Sequence, residues 1–230
     1  MSDNFLNFKE LMSIEQHKFY FTKKAVNWVV ENLKDAFGYC CRNELSLDEY
    51  LPPERFGNLQ NQITVFISVR LSELWENAIY ESIKEMFGQL EIKIDNVKRW
   101  TTADGDISIL GKTWEIKTSQ AKDSWTGATH SSHKVPRYIL VHYQIDRKKR
   151  LELVNNNELF PSLSIYLIDD IEEDTREIWN GEPKENSSFT TFRIKKEWVE
   201  QNKVLCIWGD LDISKGKYAK IIHEKNPNLN

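Results

Sequence analysis

The chain contains 230 residues, of which 40% are hydrophobic and 29% are charged, proportions that are ordinary for a globular protein. This length is sufficient for one domain with a sizeable core, or for one domain with a small helical lobe. The formal net charge of −4 argues against a protein that binds nucleic acid through overall positive charge.

The sequence shows no sign of export or of insertion into a membrane. No apolar run is long enough to cross a bilayer, and the first residues lack the pattern of a signal peptide. Three cysteines are present, Cys40, Cys41 and Cys206, and they form no metal-binding or redox motif. We therefore expect a reduced, cytoplasmic protein that does not associate with membranes.

Two amphipathic helices are predicted in the first part of the chain. The first covers residues 14–37 and is followed by a break near Pro52. The second covers residues 68–87, where apolar side chains recur at three- and four-residue steps. Glu76 borders this apolar stripe on one side and Glu81 on the other, so either carboxylate could lean towards an adjoining sheet.

A strand and a hairpin follow the second helix. The alternation in residues 90–94 predicts the strand. In the hairpin, Gly111 supplies the positive φ that a tight turn needs. The apolar side chains of the hairpin are Ile107 and Ile109 on its first strand and Trp114 and Ile116 on its second. The opposite face is left with Asp106, Glu115 and Lys117, because successive strand residues point to opposite faces.

Two registers of this hairpin are open. If the two-residue loop begins at Gly111, Lys117 lies opposite Asp106. Glu115 is then one diagonal step away. If the loop begins at Leu110, Asp106 faces Glu115 directly. Both registers place the three charged groups within cross-strand reach of one another.

The three charged groups suit a divalent metal and a phosphodiester. Mg²⁺ prefers hard oxygen ligands and usually takes one or two carboxylates plus substrate phosphate. Asp106 and Glu115 are the predicted metal ligands, with the carbonyl of Ile116 as a further one. The Lys117 ammonium could orient the nucleophile and stabilise the transition state. A plain hairpin remains the other interpretation, since such sheets commonly present polar side chains to solvent.

The spacing of Asp106 from Glu115-Ile116-Lys117 resembles the core motif of the PD-(D/E)XK nuclease superfamily, whose best-known members are type II restriction endonucleases. The resemblance covers about residues 68–170, in the order helix, strand, hairpin and further strand. It implies that the two acids bind the metal and that the lysine activates the attacking water. Many family members also carry a glutamate on the matching helix, which makes Glu76 the fourth catalytic candidate, with Glu81 as the alternative.

One position departs from the family pattern. The residue before the first acid is Gly105, where the family has proline. Asp104 therefore competes with Asp106 for the first metal position. We prefer Asp106, because it opens the apolar alternation of the first hairpin strand.

A polar run that follows the motif is the predicted DNA-contacting segment. Residues 118–134 contain few aliphatic side chains and many that can donate hydrogen bonds to phosphates or base edges. An ordinary exposed loop is the alternative, and Trp125 is the tryptophan least easily assigned to a core. The candidate DNA contacts are Ser119, Gln120, His130, Ser131, His133, Lys134 and Arg137.

The remaining elements complete an α/β pattern, a mixed β-sheet flanked by helices. Strands are predicted near residues 138–145, 163–168 and 204–208, a loop over 172–188, and a helix or turn near 195–201. The resemblance implies the restriction-endonuclease-like fold. We expect a single nuclease domain over residues 1–230, with a mainly helical part (1–60), a catalytic core (68–170) and a C-terminal strand and helix addition (189–230).

The resemblance implies a Mg²⁺-dependent endonuclease that recognises a sequence in double-stranded DNA and leaves 5′-phosphate and 3′-hydroxyl ends. Restriction enzymes of this size in the family are commonly homodimers that cut a palindrome, so a homodimer is expected. One alternative is a repair, recombination or nicking nuclease of the same superfamily. Another is a non-catalytic nucleic-acid-binding module with the same fold.

Overall fold

The computed structural model describes residues 7–43, 59–99, 105–128, 136–144, 162–171, 179–180 and 189–225. Its helices are α1 (Phe8–Leu11), α2 (Glu15–Asn43), α3 (Leu59–Gln89) and α4 (Lys196–Glu200). The two long predicted helices are confirmed, and each extends further than the sequence indicated. No helix in the described ranges is both long enough and apolar enough to span a membrane.

The strands are numbered here in chain order. The first six are β1 (Val97–Arg99), β2 (Ile107–Ile109), β3 (Lys112–Ser119), β4 (Trp125–Ala128), β5 (Tyr138–Gln144) and β6 (Ser162–Ile168). The others are β7 (Trp179–Asn180), β8 (Phe189–Phe192), β9 (Val204–Trp208), β10 (Asp210–Asp212), β11 (Lys220–Ile222) and β12 (Glu224–Lys225). The strands predicted near residues 138–145, 163–168 and 204–208 are confirmed as β5, β6 and β9.

The central sheet is mixed, as expected. Strands β1, β2, β3, β5 and β6 lie side by side in that order, and both β9 and β12 pair with the far side of β6. Strands β3 and β5 run parallel, whereas their neighbours in this sheet pair antiparallel. Strands β4, β8 and β7 form a smaller sheet, and β10 pairs with β11. The architecture is therefore a mostly antiparallel sheet flanked by helices.

Each face of the central sheet contributes to its own apolar core. Ile139 and Val141 of β5 belong to the cluster that includes the buried faces of α2 and α3. Tyr138 and Leu140, which alternate with them along β5, belong to a second cluster that includes Phe192 of β8. The alternation along one strand thus holds both layers to the same sheet.

Trp125, the tryptophan least easily assigned to a core from the sequence, lies in the second core. Its side chain is 0% exposed, and its ring centroid lies 6.1 Å from that of Phe192. The indole N–H donates a hydrogen bond to the carbonyl of Val141 at 3.2 Å. The polar run therefore contains a strand, β4, whose pairing with β8 carries the indole into the core.

The strand predicted over residues 90–94 is also wrong. Helix α3 continues to Gln89, and the N–H of Ile92 then donates to the carbonyl of Phe87 at 2.8 Å, a bond that closes helix C-termini. Glu91 takes a φ of +55°, the left-handed conformation that glycine usually supplies at this position. The segment therefore ends the helix, and the first strand begins at Val97.

Candidate active site

The turn of the β2–β3 hairpin decides between the two registers. Ile109 pairs with Lys112, so the loop consists of residues 110–111. Both loop residues have positive φ, +51° and +76°, as a type I′ turn requires. This is the register that brings Asp106 towards Glu115.

The backbone is displaced where the chain enters β2. Ile107 pairs with Trp114, yet the N–H of Asp106 also donates to the Trp114 carbonyl, at 3.1 Å. Two consecutive residues thus oppose one, as in a β-bulge, a feature that re-aims side chains next to active sites. Gly105 has a φ of +117°, and a Cβ atom there would lie 2.5 Å from Cγ2 of Thr113. Proline holds φ at about −65°, so it cannot replace Gly105 in this conformation.

The Asp106 carboxylate lies at the edge of β3. Its Oδ2 accepts a hydrogen bond from the N–H of Ile116 at 2.7 Å. Because the N–H and C=O of one strand residue point to the same edge, the Ile116 carbonyl is directed to this edge as well. Glu115 and Lys117, on either side of Ile116, share one face of β3, where the lysine ammonium bonds the glutamate carboxylate.

Helix α3 contributes a third carboxylate. The Oε2 atom of Glu76 lies 3.8 Å from Nη2 of Arg99, and Nη1 of Arg99 donates to Oδ1 of Asn77. The hydroxyl of Thr118 on β3 donates to that of Ser72 on α3 at 3.2 Å. This contact, one helical turn before Glu76, ties the helix to the strand that carries the motif.

Glu81, the alternative to Glu76 on helix α3, stands apart from this group. Glu81 pairs with Lys84 at 3.3 Å, and its side chain is 44% exposed. Asp104 lies outside the described residues. The acid of α3 whose pKa responds to the hairpin charges is Glu76.

Two acids of the site, Glu76 and Asp106, have a raised pKa. Burial raises the pKa of Glu76 to about 7, and the charge of Asp106 contributes to that rise. Burial also raises the pKa of Asp106, and the charge of Glu115 adds to it. Lys117 and Arg99 act in the opposite direction on both acids without cancelling the rise. The site therefore favours an additional cation.

The donor set suits Mg²⁺, although its members are not gathered around one point. Among the residues that the structure describes, no three His, Cys, Asp or Glu side chains stand close enough together to hold a metal ion. The Lys117 ammonium donates a hydrogen bond to the Glu115 carboxylate, and the N–H of Ile116 donates to one oxygen of Asp106. Rotation of the flexible lysine side chain would open the Glu115 oxygens. The carboxylates and the Ile116 carbonyl are the hard oxygen donors that Mg²⁺ prefers.

The structure places only some of the predicted DNA contacts. Ser119 is 8% exposed, and its hydroxyl accepts a hydrogen bond from the N–H of Ala121 at 3.0 Å. Gln120 donates to a tyrosine hydroxyl at 3.5 Å. The guanidinium of Arg137 pairs with Asp169 at 2.7 Å. These three candidates are thus engaged within the protein. Four others lie outside the described residues: His130, Ser131, His133 and Lys134.

Arg99 and Asn77 border the site and were missed in the sequence. Arg99 closes β1, and the stronger alternation in residues 90–94 drew the predicted strand away from it. The segment Val97-Lys98-Arg99 shows no alternation of apolar and polar residues, so periodicity could not reveal this strand. Asn77 follows Glu76 directly, but its relation to Arg99 depends on how α3 packs against β1.

Comparison of the chain with protein-family models and with curated proteins finds no match. The functional interpretation therefore depends on the site itself. Asp106, Glu115 and Lys117 come together through one hairpin, and the tertiary packing of α3 brings Glu76 into electrostatic range of all three.

Proposed function

We propose that this protein is a Mg²⁺-dependent endonuclease that recognises a sequence in double-stranded DNA, of the type II restriction kind. Phosphodiester hydrolysis would leave 5′-phosphate and 3′-hydroxyl ends. A physical observation about the site supports the proposal in addition to the motif resemblance. The carboxylates of Asp106, Glu115 and Glu76 lie within electrostatic range of one another beside Lys117, and the pKa values of Glu76 and Asp106 are raised.

That observation favours a metal-dependent reaction on an anionic substrate. Partly buried carboxylates that repel one another cost folding free energy, which a bound cation relieves. Strongly perturbed pKa values of this origin are concentrated at functional sites. The neighbouring lysine would repel a cationic substrate and attract a phosphate.

The residues have separate roles in this proposal. Asp106 and Glu115, with the carbonyl of Ile116, would hold Mg²⁺, and Glu76 would complete the acidic group. When bound, Mg²⁺ lowers the pKa of a coordinated water and neutralises charge on the phosphate. Lys117 would release Glu115 and direct its Nζ towards the attacking water and a phosphate oxygen. The new bond forms between the water oxygen and phosphorus, while the bond to the 3′ oxygen breaks and that oxygen takes up a proton.

A homodimer remains part of the proposal. One active site per subunit cuts one strand, so a two-fold protein on a two-fold DNA site would produce a double-strand break. The net charge of −4 does not oppose this proposal, since phosphate contacts would be local to basic side chains beside the active site.

The experiment is cleavage of phage DNA and supercoiled plasmid by the wild-type protein and by Lys117→Ala, in Mg²⁺ and in EDTA. We expect discrete fragments with wild type in Mg²⁺, none in EDTA, and a loss of at least about 100-fold in rate for the variant. Lys112→Ala is the matched control, because Lys112 lies on the same strand but is exposed beside the turn.

The outcomes separate the competing functions. Nicked plasmid or cutting only at DNA structures would replace the restriction activity with that of a repair or nicking nuclease. A folded wild-type protein that binds DNA without cutting it would indicate the non-catalytic binding module. Cutting that survives in Lys117→Ala would show that the active site lies elsewhere.

A further inference from the structure

We infer that Arg99 is a phosphate-binding residue of this site, held by Glu76 until a metal ion takes that carboxylate. The inference rests on the proposed nuclease function and adds a DNA contact outside the polar run. Arg99 closes the edge strand β1 and pairs with Ile107, the residue next to Asp106. It therefore lies next to Asp106 along the sheet and also faces Glu76 of α3.

The present contacts of Arg99 leave its guanidinium able to move. The side chain is 42% exposed, and the 3.8 Å separation from Glu76 exceeds the length of a hydrogen bond. Among the described residues, the bond from a second nitrogen goes to the side-chain amide oxygen of Asn77. Such half-exposed ion pairs contribute little stability, so exchanging one carboxylate for another anion costs little.

Arg137 shows how a structural arginine differs in the same protein. Its side chain is 17% exposed, with Nε 2.7 Å from Asp169 and Nη2 3.5 Å from Asp170. Both carboxylates come from the segment that follows β6, so the ion pair joins two parts of the chain. Arg99 has neither that burial nor that geometry, which favours a role for it in ligand binding.

The charges of the site explain why Arg99 would exchange the Glu76 carboxylate for a phosphate. Three carboxylates and two cations, Lys117 and Arg99, leave one net negative charge when all are ionised. One Mg²⁺ ion converts this into one net positive charge, and a phosphodiester would then neutralise the site. If Glu76 turned to a bound metal ion, Arg99 would lose its carboxylate partner, and its planar guanidinium would be free to bind a phosphate through two donors.

The test measures DNA binding rather than cleavage. Arg99→Ala and Lys98→Ala are made in a Lys117→Ala background, so that the DNA is bound but not cut. The Kd is measured in Mg²⁺ at several salt concentrations, for a duplex that contains the site mapped from the wild-type cleavage fragments. Lys98 is the neighbouring exposed residue of the same strand and serves as the matched control. We expect Arg99→Ala to raise the Kd about 10-fold and to reduce the salt slope by about 1, with less effect from Lys98→Ala.

A second variant guards against a folding defect. Arg99→Lys keeps the charge but not the planar fork, so the salt slope should be retained while the Kd rises by a smaller factor. Equal Kd values and equal salt slopes for Arg99→Ala and Lys98→Ala would overturn the inference while leaving the nuclease proposal intact. A wild-type protein that neither binds nor cuts DNA would overturn both.

Discussion

The central sheet carries two polar groups on one face, and they are built in opposite ways. The acidic group comprises Asp106, Glu115, Lys117 and Glu76, of which Glu115 and Lys117 lie on that face of β3. The histidine row contains His142 of β5 and Ser164 of β6, which share that face by register, together with His223. In the acidic group charges repel and pKa values rise. In the histidine row every ring nitrogen meets a partner.

The histidine row forms a continuous chain of hydrogen bonds. Nε2 of His142 lies against the carbonyl of Ala121, so this nitrogen carries a hydrogen. With both rings neutral, Nδ1 of His142 accepts from Nε2 of His223 at 3.1 Å, and Nδ1 of His223 accepts from the Ser164 hydroxyl at 2.9 Å. Burial lowers the pKa of His142 to about 4, which keeps the ring uncharged at neutral pH.

The difference separates polar residues that support the fold from those available for chemistry. Ser164 is 0% exposed and His142 is 2% exposed, so no substrate reaches a hydroxyl that would otherwise resemble a nucleophile beside a base. The acids are only partly buried and are short of positive charge. A satisfied, buried network stabilises, whereas an unbalanced and accessible one is a candidate for ligand binding.

The largest effect is expected at Gly105, whose backbone conformation positions the neighbouring Asp106. Gly105→Ala should destabilise the protein by about 3 kcal/mol, because a side chain is strained at φ +117° and meets Thr113 at 2.5 Å. Urea unfolding measures the loss. Gly111→Ala is the control: its φ is +76°, but nothing lies within 4 Å of the added Cβ. Equal losses for the two variants would show that the contact with Thr113 is of no consequence.

An intermediate effect is expected in the histidine row. His142→Phe should cost about 2 kcal/mol at pH 7, because the Ala121 carbonyl and His223 lose their partner. The folded pKa of about 4 lies below the unfolded value of about 6.5, so the unfolded chain binds the proton first and wild-type stability falls as pH decreases through this window. The free energy of unfolding of His142→Phe should not show this decrease.

The measurement compares free energies of unfolding for both proteins at pH 7 and pH 5. His17→Phe serves as the control, since His17 bonds the Leu11 carbonyl at 2.8 Å outside the row. A difference between wild type and His142→Phe that stays constant between the two pH values would contradict a buried neutral ring.

The smallest effect has the opposite sign and belongs to the acidic group. Glu76→Gln should stabilise the metal-free protein at pH 8 by about 1 kcal/mol, or about 2–4 °C in Tm. The folded pKa of about 7 lies above the unfolded value of about 4.3, so the folded state holds the proton longer and stability falls as pH rises between them. At pH 4 the two proteins should have the same Tm.

Thermal unfolding in EDTA at pH 4 and pH 8 tests this prediction. Glu81→Gln is the matched control, from the other border of the same helix, where Lys84 provides a partner. A destabilised Glu76→Gln protein at pH 8 would show that the pair with Arg99 outweighs repulsion from the hairpin acids.

Much of the fold was predictable because the signal was local. Alternation along the hairpin places Ile107 opposite Trp114 in the core and the acids away from it, whatever the rest of the chain does. The strand predicted over residues 90–94 was wrong because Glu91 adopts a glycine-like conformation that ends α3, which no periodicity reveals. Trp125 was not easily assigned to a core because its burial depends on β8, far along the chain.

The site, like the fold, was predictable only where its residues are close together in the sequence. Asp106, Glu115 and Lys117 meet through a single hairpin, so their spacing was sufficient. The choice between Glu76 and Glu81 depended on the rotation of α3, which packing decides. The bulge at Asp106 and the raised pKa of Glu76 depend on positive φ and on burial, which are properties of the folded chain alone.

The pairing of β6 has a consequence for synthesis of the chain. One edge of β6 pairs with β5, whereas its other edge waits for β9 and β12, which lie between residues 204 and 225. A ribosome releases the segments in order, so an apolar strand with an unpaired edge exists before its partners are made. That interval is when the nascent chain is most open to edge-to-edge aggregation, and slower expression at low temperature should raise the soluble yield.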